Sequence, residues 1–258
     1  MILALISSVC ILRFGERQTY ALDFGYQASA VYSDSHYYKR AKAVQTTGRQ
    51  SIDILCIAAS QLGYHEGNAL TDLDGHNMRG TENYTEFAYW FGTRVMGNDS
   101  GFYSAWCAFF VSWCARQAGI SESVLSNAAY ARPDRASASG GYGYFHLDPI
   151  YPGDHMPRSG ELVFIDWEAD NTWDHVGLVL YCDGQRIGTV EGNASDAVRY
   201  RVYPLDDPQI RAYGAPKYND AEGEDLGSPV FESYMDAWAA VYRAAEGSIR
   251  LFGGITEG

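Results

Sequence analysis

Positive charge is scarce in this chain: 19 Lys and Arg stand against 32 Asp and Glu, a formal net charge of -13. A surface so acidic repels phosphate, which excludes nucleic acid and an anionic membrane face as expected partners. Long apolar runs are lacking too. The stretch ILALISSVCIL, residues 2–12, is too short to span a bilayer, so no stable membrane span is expected. It has the length of a signal-peptide core but lacks the basic residues that normally precede one. Thr19-Tyr20-Ala21 and Ala28-Ser29-Ala30 are candidate cleavage sites, and a secreted or cell-surface location is the expectation. Cysteine is sparse and odd in number: Cys10, Cys56, Cys107, Cys114 and Cys182 do not make a disulfide scaffold, and at least one is left as a thiol within the monomer.

What is present suits one sizeable core, since 258 residues with 47% hydrophobic content can bury one. Residues 1–50 read as an N-terminal extension, with the polar, basic YYKRAKAVQTTGRQ as a linker. The domain proper spans 51–218. SIDILCIAASQLGY opens it with apolar residues at helical spacing and Gly63 as a stop, and a second helix is expected over 81–90. Between them, ALTDLDGHNMRGTE offers Asp72, Asp74 and Asn77 without the further oxygens and terminal Glu of a calcium loop, so no metal and no cofactor is expected.

The stretch YSAWCAFFVSWCARQAG places a cysteine at the start of a helix that is apolar on every side, with Ser104 as N-cap and Gly119 as terminator. Such a helix is central and buried. Unpaired N–H groups and the helix dipole at its N-terminus favour a thiolate, which is where a nucleophilic cysteine belongs. The alternative is that Cys107, like Cys114 two turns on, is a small core residue. A histidine decides between them. His36, His65, His76, His146 and His155 lie in the extension or in loop-like stretches, whereas His175 opens an apolar, β-branched run, HVGLVLYCDGQRIGTVEGN, that reads as a hairpin ending at Glu191, Gly192 and Asn193.

Register governs whether these residues meet, because a one-residue slip turns a strand's side chains to the other face. A two-residue Asp183-Gly184 turn would separate His175 from Glu191. A three-residue Cys182-Asp183-Gly184 loop would pair 181 with 185 and set His175 opposite Glu191, with Asn193 on the same face; that odd-length loop is the expectation. The chemistry then follows: Cys107 as nucleophile, His175 as base, and Glu191 or Asn193 orienting the ring, with the Cys107 N–H as oxyanion donor.

The blocks WCAFFVSWCARQAG, PRSGELVFIDW, DHVGLVLYC, VEGN and IRAYGAPKY, in that order over about residues 52–218, resemble the CHAP family of cysteine peptidases and amidases. The resemblance implies an α+β, papain-like fold of the NlpC/CHAP type, with N-terminal helices packed on an antiparallel β-sheet. It implies that Cys107, His175, Glu191 and Asn193 are catalytic. It also implies an amide substrate in bacterial peptidoglycan, the enzyme being an N-acetylmuramoyl-L-alanine amidase or an endopeptidase. The family's Gly-Asp before the first strand reads Gly160-Glu161 here, and the Asp-Cys-Ser-Gly of NlpC relatives is replaced by Ala105-Trp106-Cys107-Ala108. A same-fold amidase acting on a non-wall amide, and a catalytically silent binding scaffold, are the alternatives.

Residues 126–160 are long and rich in Gly, Ser, Pro and Tyr; Tyr142, Tyr144 and Tyr151, with Trp106, are expected to wall a peptide or sugar groove. The tail, 219–258, combines an acidic linker with an amphipathic helix at 229–246 that docks on the domain or engages a partner or second copy.

Overall fold

The computed structural model describes residues 26–44, 46, 48–97, 104–121, 151–171 and 173–220. All of them lie in one compact unit, 16–222. The expected helix at 229–246 and the residues Tyr142 and Tyr144 lie outside this description. Among the described residues no helix is long and apolar enough to cross a membrane.

Helices α1 (Ala30–Asp34) and α2 (His36–Lys42) are capped by the Ser29 and Ser35 hydroxyls, which accept from Tyr32 and Tyr38 N–H groups. They occupy the stretch read above as extension and linker. Aromatic anchors explain the difference: Tyr32 and Tyr37 are buried, the Tyr32 hydroxyl donates to Gln61, and Arg40 donates to the Leu62 and Ala59 carbonyls at the end of α3 (Gln50–Ser60). A guanidinium on orphan carbonyls completes that helix end. At its other end α3 has no cap of its own; the Asp220 carboxylate accepts from the Gln50 and Ser51 N–H groups at 2.5 and 3.2 Å. The domain therefore extends past 51–218 on both sides.

Helix α4 (Glu86–Trp90) is capped by Thr85 and runs into a π-helical turn, Phe91–Met96. Helix α5 (Cys107–Gln117) is buried along its whole length except at Arg116, as its all-round apolarity requires. It ends in a Schellman motif: Ile120 N–H reaches the Ala115 carbonyl, Gly119 N–H reaches that of Arg116, and Gly119 takes φ +71°.

The sheet is antiparallel and five-stranded in the order β4-β3-β2-β1-β5, built from β1 (Leu162–Ile165), β2 (His175–Cys182), β3 (Arg186–Glu191), β4 (Arg199–Pro204) and β5 (Ile210–Gly214). One of its faces carries a core of Val163, Ile165, Val179, Ile187, Tyr203, Ile210 and Tyr213. The fold is thus α+β, helices against an antiparallel sheet.

The β2–β3 connection is even, not odd. Cys182 pairs with Ile187, Asp183 N–H donates to the Arg186 carbonyl, and Gly184 at φ +87° opens a tight turn whose other central residue is Gln185. Extended without interruption, that register would put His175 opposite Ala194 and turn Glu191 to the other face. A bulge at Leu180 absorbs one residue of β2, so that Val179 pairs with Thr189 and Leu178 with Val190. Glu191 then falls opposite Gly177, on the face of His175 and one diagonal step from it.

Candidate active site

Cys107 is the first residue of α5 and is buried. Its N-cap is Trp106, not Ser104, and the Trp106 side chain makes no capping bond; the helix dipole acts on a thiol at this first position. Trp106 is wholly buried, stacked on Phe87 at 5.5 Å, and its indole N–H donates to Glu66 Oε2 at 2.7 Å while Glu66 Oε1 accepts from Asn83 N–H. It anchors the helix start and is closed to substrate, which corrects its expected place in a groove.

His175 begins β2, where Asp174 N–H is tied to the Ile165 carbonyl. The ring is nearly sealed from solvent, and its Nε2 lies 2.8 Å from Glu191 Oε2. The other ring nitrogen is left for Cys107, with which the imidazole also hydrogen-bonds. Burial by itself would lower the imidazole pKa; the bonds and negative charge of Cys107 and Glu191 overcome it and push the pKa up to about 10. The ring is therefore an imidazolium at neutral pH, the partner a thiolate requires.

Glu191 is fully buried and both its oxygens are used: Oε1 accepts from Thr189 Oγ1 at 2.5 Å, and Oε2 accepts from Tyr203 at 3.3 Å besides facing His175. Its stem crosses Gly177, where an added Cβ would stand 2.6 Å from Glu191 Cγ. Gly192, one residue on, faces the opposite way, against Phe110 of α5. Trp167, partly exposed, sets its ring 5.7 Å from the His175 ring and 6.2 Å from that of Tyr203.

Cys107, His175 and Glu191 are thus brought together. Asn193 stands outside this line: at φ +58° on the turn after β3, it makes no hydrogen bond with His175 or Glu191 among the described residues, and it is the Glu191 carboxylate that holds the ring. Tyr151 is exposed and lines a cavity with Asn171, Trp173, Ile210 and Arg211. Thr189, Tyr203, Gly177 and Glu66 escaped the sequence reading. Thr189 was within reach of it, because residues two apart on a strand share a face; Tyr203 and Glu66 come from distant segments and left no local signal.

None of Cys56, Cys107, Cys114 and Cys182 is in a disulfide. Among the described residues no group of three or more His, Cys, Asp or Glu side chains is arranged to hold a metal ion.

Residues 97–193 match the family model of the CHAP domain. No curated protein matches the chain. Among solved structures, the crystal structure of Ly7917 is 20% identical over 43% of this chain and 53% of its own, with a TM-score of 0.27. The chain spans about half the length of that protein.

Proposed function

We propose that this chain, in which residues 97–193 form the CHAP domain of a cysteine/histidine-dependent amidohydrolase or peptidase, hydrolyses amide bonds of bacterial cell-wall peptidoglycan outside the cytoplasm. The observation that carries the reading is the buried line of Cys107, His175 and Glu191, with the imidazole bonded on both sides. CHAP domains commonly act on peptidoglycan, which supports the choice of substrate.

In the first half-reaction the Cys107 thiolate adds to the acyl carbon, and the charge developing on oxygen is met by the Cys107 N–H at the open start of α5. The His175 imidazolium gives its proton to the leaving nitrogen, the C–N bond breaks, and a thioester remains on Cys107. In the second, the now neutral ring takes a proton from water as the water oxygen attacks the thioester. The acid leaves, and the thiolate–imidazolium pair is restored. Glu191 does not exchange protons in this scheme; it holds the ring and its charge.

The test is soluble amine release from purified peptidoglycan by the wild type and by Cys107→Ala at equal folded concentration. New amino termini from the wild type alone support the reading, and fragment masses name the bond as amidase or endopeptidase. If walls of several chemotypes are untouched while a thiol-reactive probe still labels Cys107 selectively, the substrate assignment falls and a non-wall amide takes its place. Failure of both assays leaves a silent scaffold.

A further inference from the structure

The cavity beside the β1–β2 loop belongs, by strand register, to the neighbourhood of His175. Ile165 pairs with His175 on one side and with Ile210 on the other. With strands about 4.8 Å apart, the start of β5 lies roughly 10 Å from the His175 backbone. The cavity, about 500 Å³, is lined by Tyr151, Asn171, Trp173, Ile210 and Arg211. Trp173 precedes His175 by two residues and stacks on buried Phe164 at 5.1 Å, which makes a rigid apolar wall; exposed Tyr151 faces the same space.

Arg211 is the charged element of this pocket, and its placement is specific. The β1–β5 ladder runs Phe164 with Ala212 and then Ile165 with Ile210, so Arg211 is the extra residue of a bulge. Bulges re-aim one side chain beside a site. Its guanidinium is held from behind: Nε lies 3.6 Å from buried Asp166 Oδ2, and one Nη2 hydrogen bonds to Asn171 Oδ1 at 2.5 Å. Asp166 is in turn fixed by the Asp170 and Asn171 N–H groups. Nη1 makes no hydrogen bond in the described structure, and the side chain is about one-third exposed. A planar fork fixed on one edge and open on the other is a receptor for a carboxylate.

We propose that this pocket is a substrate subsite that takes a peptide bearing a free carboxylate, the carboxylate on Arg211 and the aliphatic part against Trp173 and Tyr151. The assignment rests on the amide-hydrolase reading and narrows it: the preferred substrates carry an anionic group on the Arg211 side of the cleaved bond.

The test uses the full chain with Cys107→Ala, titrated with acetyl-trialanine and with its C-terminal amide, and follows the Trp173 indole N–H resonance, assigned by Trp173→Phe. The expected result is saturable movement of that resonance, with the acid binding about tenfold more tightly than the amide, the gain of one charge-assisted pair. Arg211→Gln should bring the acid down to the amide, Arg211→Lys should keep part of the preference, and Tyr151→Ala should weaken both ligands alike. Equal binding of acid and amide to the Arg211 protein, or no movement of Trp173 with either, overturns the subsite. Absence of wall hydrolysis by the wild type, with the acid preference intact in the Cys107→Ala protein, would sink the peptidoglycan reading and leave this one standing.

Discussion

Gly177→Ala tests the site most sharply, because the added methyl strikes Glu191 first and reaches His175 only by displacing that carboxylate. The new Cβ would lie 2.6 Å from Glu191 Cγ and 3.4 Å from its Cδ and from Val163 Cγ1. Carbon atoms do not approach to 2.6 Å, and Glu191 is fully buried with both oxygens bonded, so the carboxylate has to leave its place. Overpacking of this kind costs about 1–3 kcal/mol of stability. Displacing the group that orients the ring by even an ångström costs on the order of 100-fold in kcat/KM.

The pH behaviour adds a readout that damage to the fold would not imitate. The imidazole titrates at about 10 in the native state and at 6.5 in the unfolded chain. Native His175 holds its proton more tightly, so its contribution to stability is complete below pH 6.5 and is lost as pH rises through 10. The same ionisation sets the alkaline limit of the thiolate–imidazolium pair. With Glu191 displaced, Cys107 still holds the proton, but an opposite charge nearby is worth about 1–3 pH units. We therefore expect the alkaline limb of kcat/KM on an amide substrate, and the His175 ring titration followed by NMR, to move down together by about that much. A folded Gly177→Ala protein with an unchanged ring titration would refute the idea that Glu191 holds His175 by way of Gly177.

Three further outcomes follow from named contacts. Thr189→Val deprives Glu191 Oε1 of its donor at 2.5 Å and should lower kcat/KM about tenfold, with Thr189→Ser restoring it; equal activity of Val and Ser would show that the hydroxyl is idle. Burial raises the Glu86 carboxyl from 4.5 to about 7 despite its bonds to Ser29 and Tyr26, so the native state binds the extra proton. That stability is complete below pH 4.5 and is lost as pH rises through 7, a swing of roughly 3 kcal/mol; Glu86→Gln should flatten thermal unfolding across this window, and parallel curves would contradict it. Trp106→Phe removes the indole bond to Glu66 and should cost about 1–3 kcal/mol while leaving KM alone; a raised KM with unchanged stability would return Trp106 to the substrate groove.

Much of the site was legible in order along the chain. The all-round apolarity of residues 107–117 announces a buried helix, and a cysteine at its first position places a thiol on the dipole whatever packs around it. The apolar, β-branched run HVGLVLY, the Asp-Gly after it and the second run RIGTVE announce a hairpin. These are local properties, settled by period and by the groups a helix end leaves unpaired.

The register of that hairpin was not local. An odd loop was the simplest way to unite His175 and Glu191 on one face, yet the turn is even and the bulge at Leu180 supplies the missing residue. The bulge is held in place by partners outside the hairpin: Ser159 Oγ donates to the Leu180 carbonyl, and Gly160 N–H to that of Val179. The fate of the supposed linker was likewise decided at a distance, by Tyr32 on Gln61 and Arg40 on the end of α3. Asn193 shows the same division from the other side. Its place two residues after Glu191 suggested a shared role, but the strand ends at Glu191 and the backbone turns to positive φ at Asn193, so alternation no longer applies. The sequence by itself determined which residues could do the chemistry, because composition and period act over a few residues. Tertiary structure decided which of them meet, because a bulge, a buried carboxylate and its donors are stabilised by contacts that no window of the sequence contains.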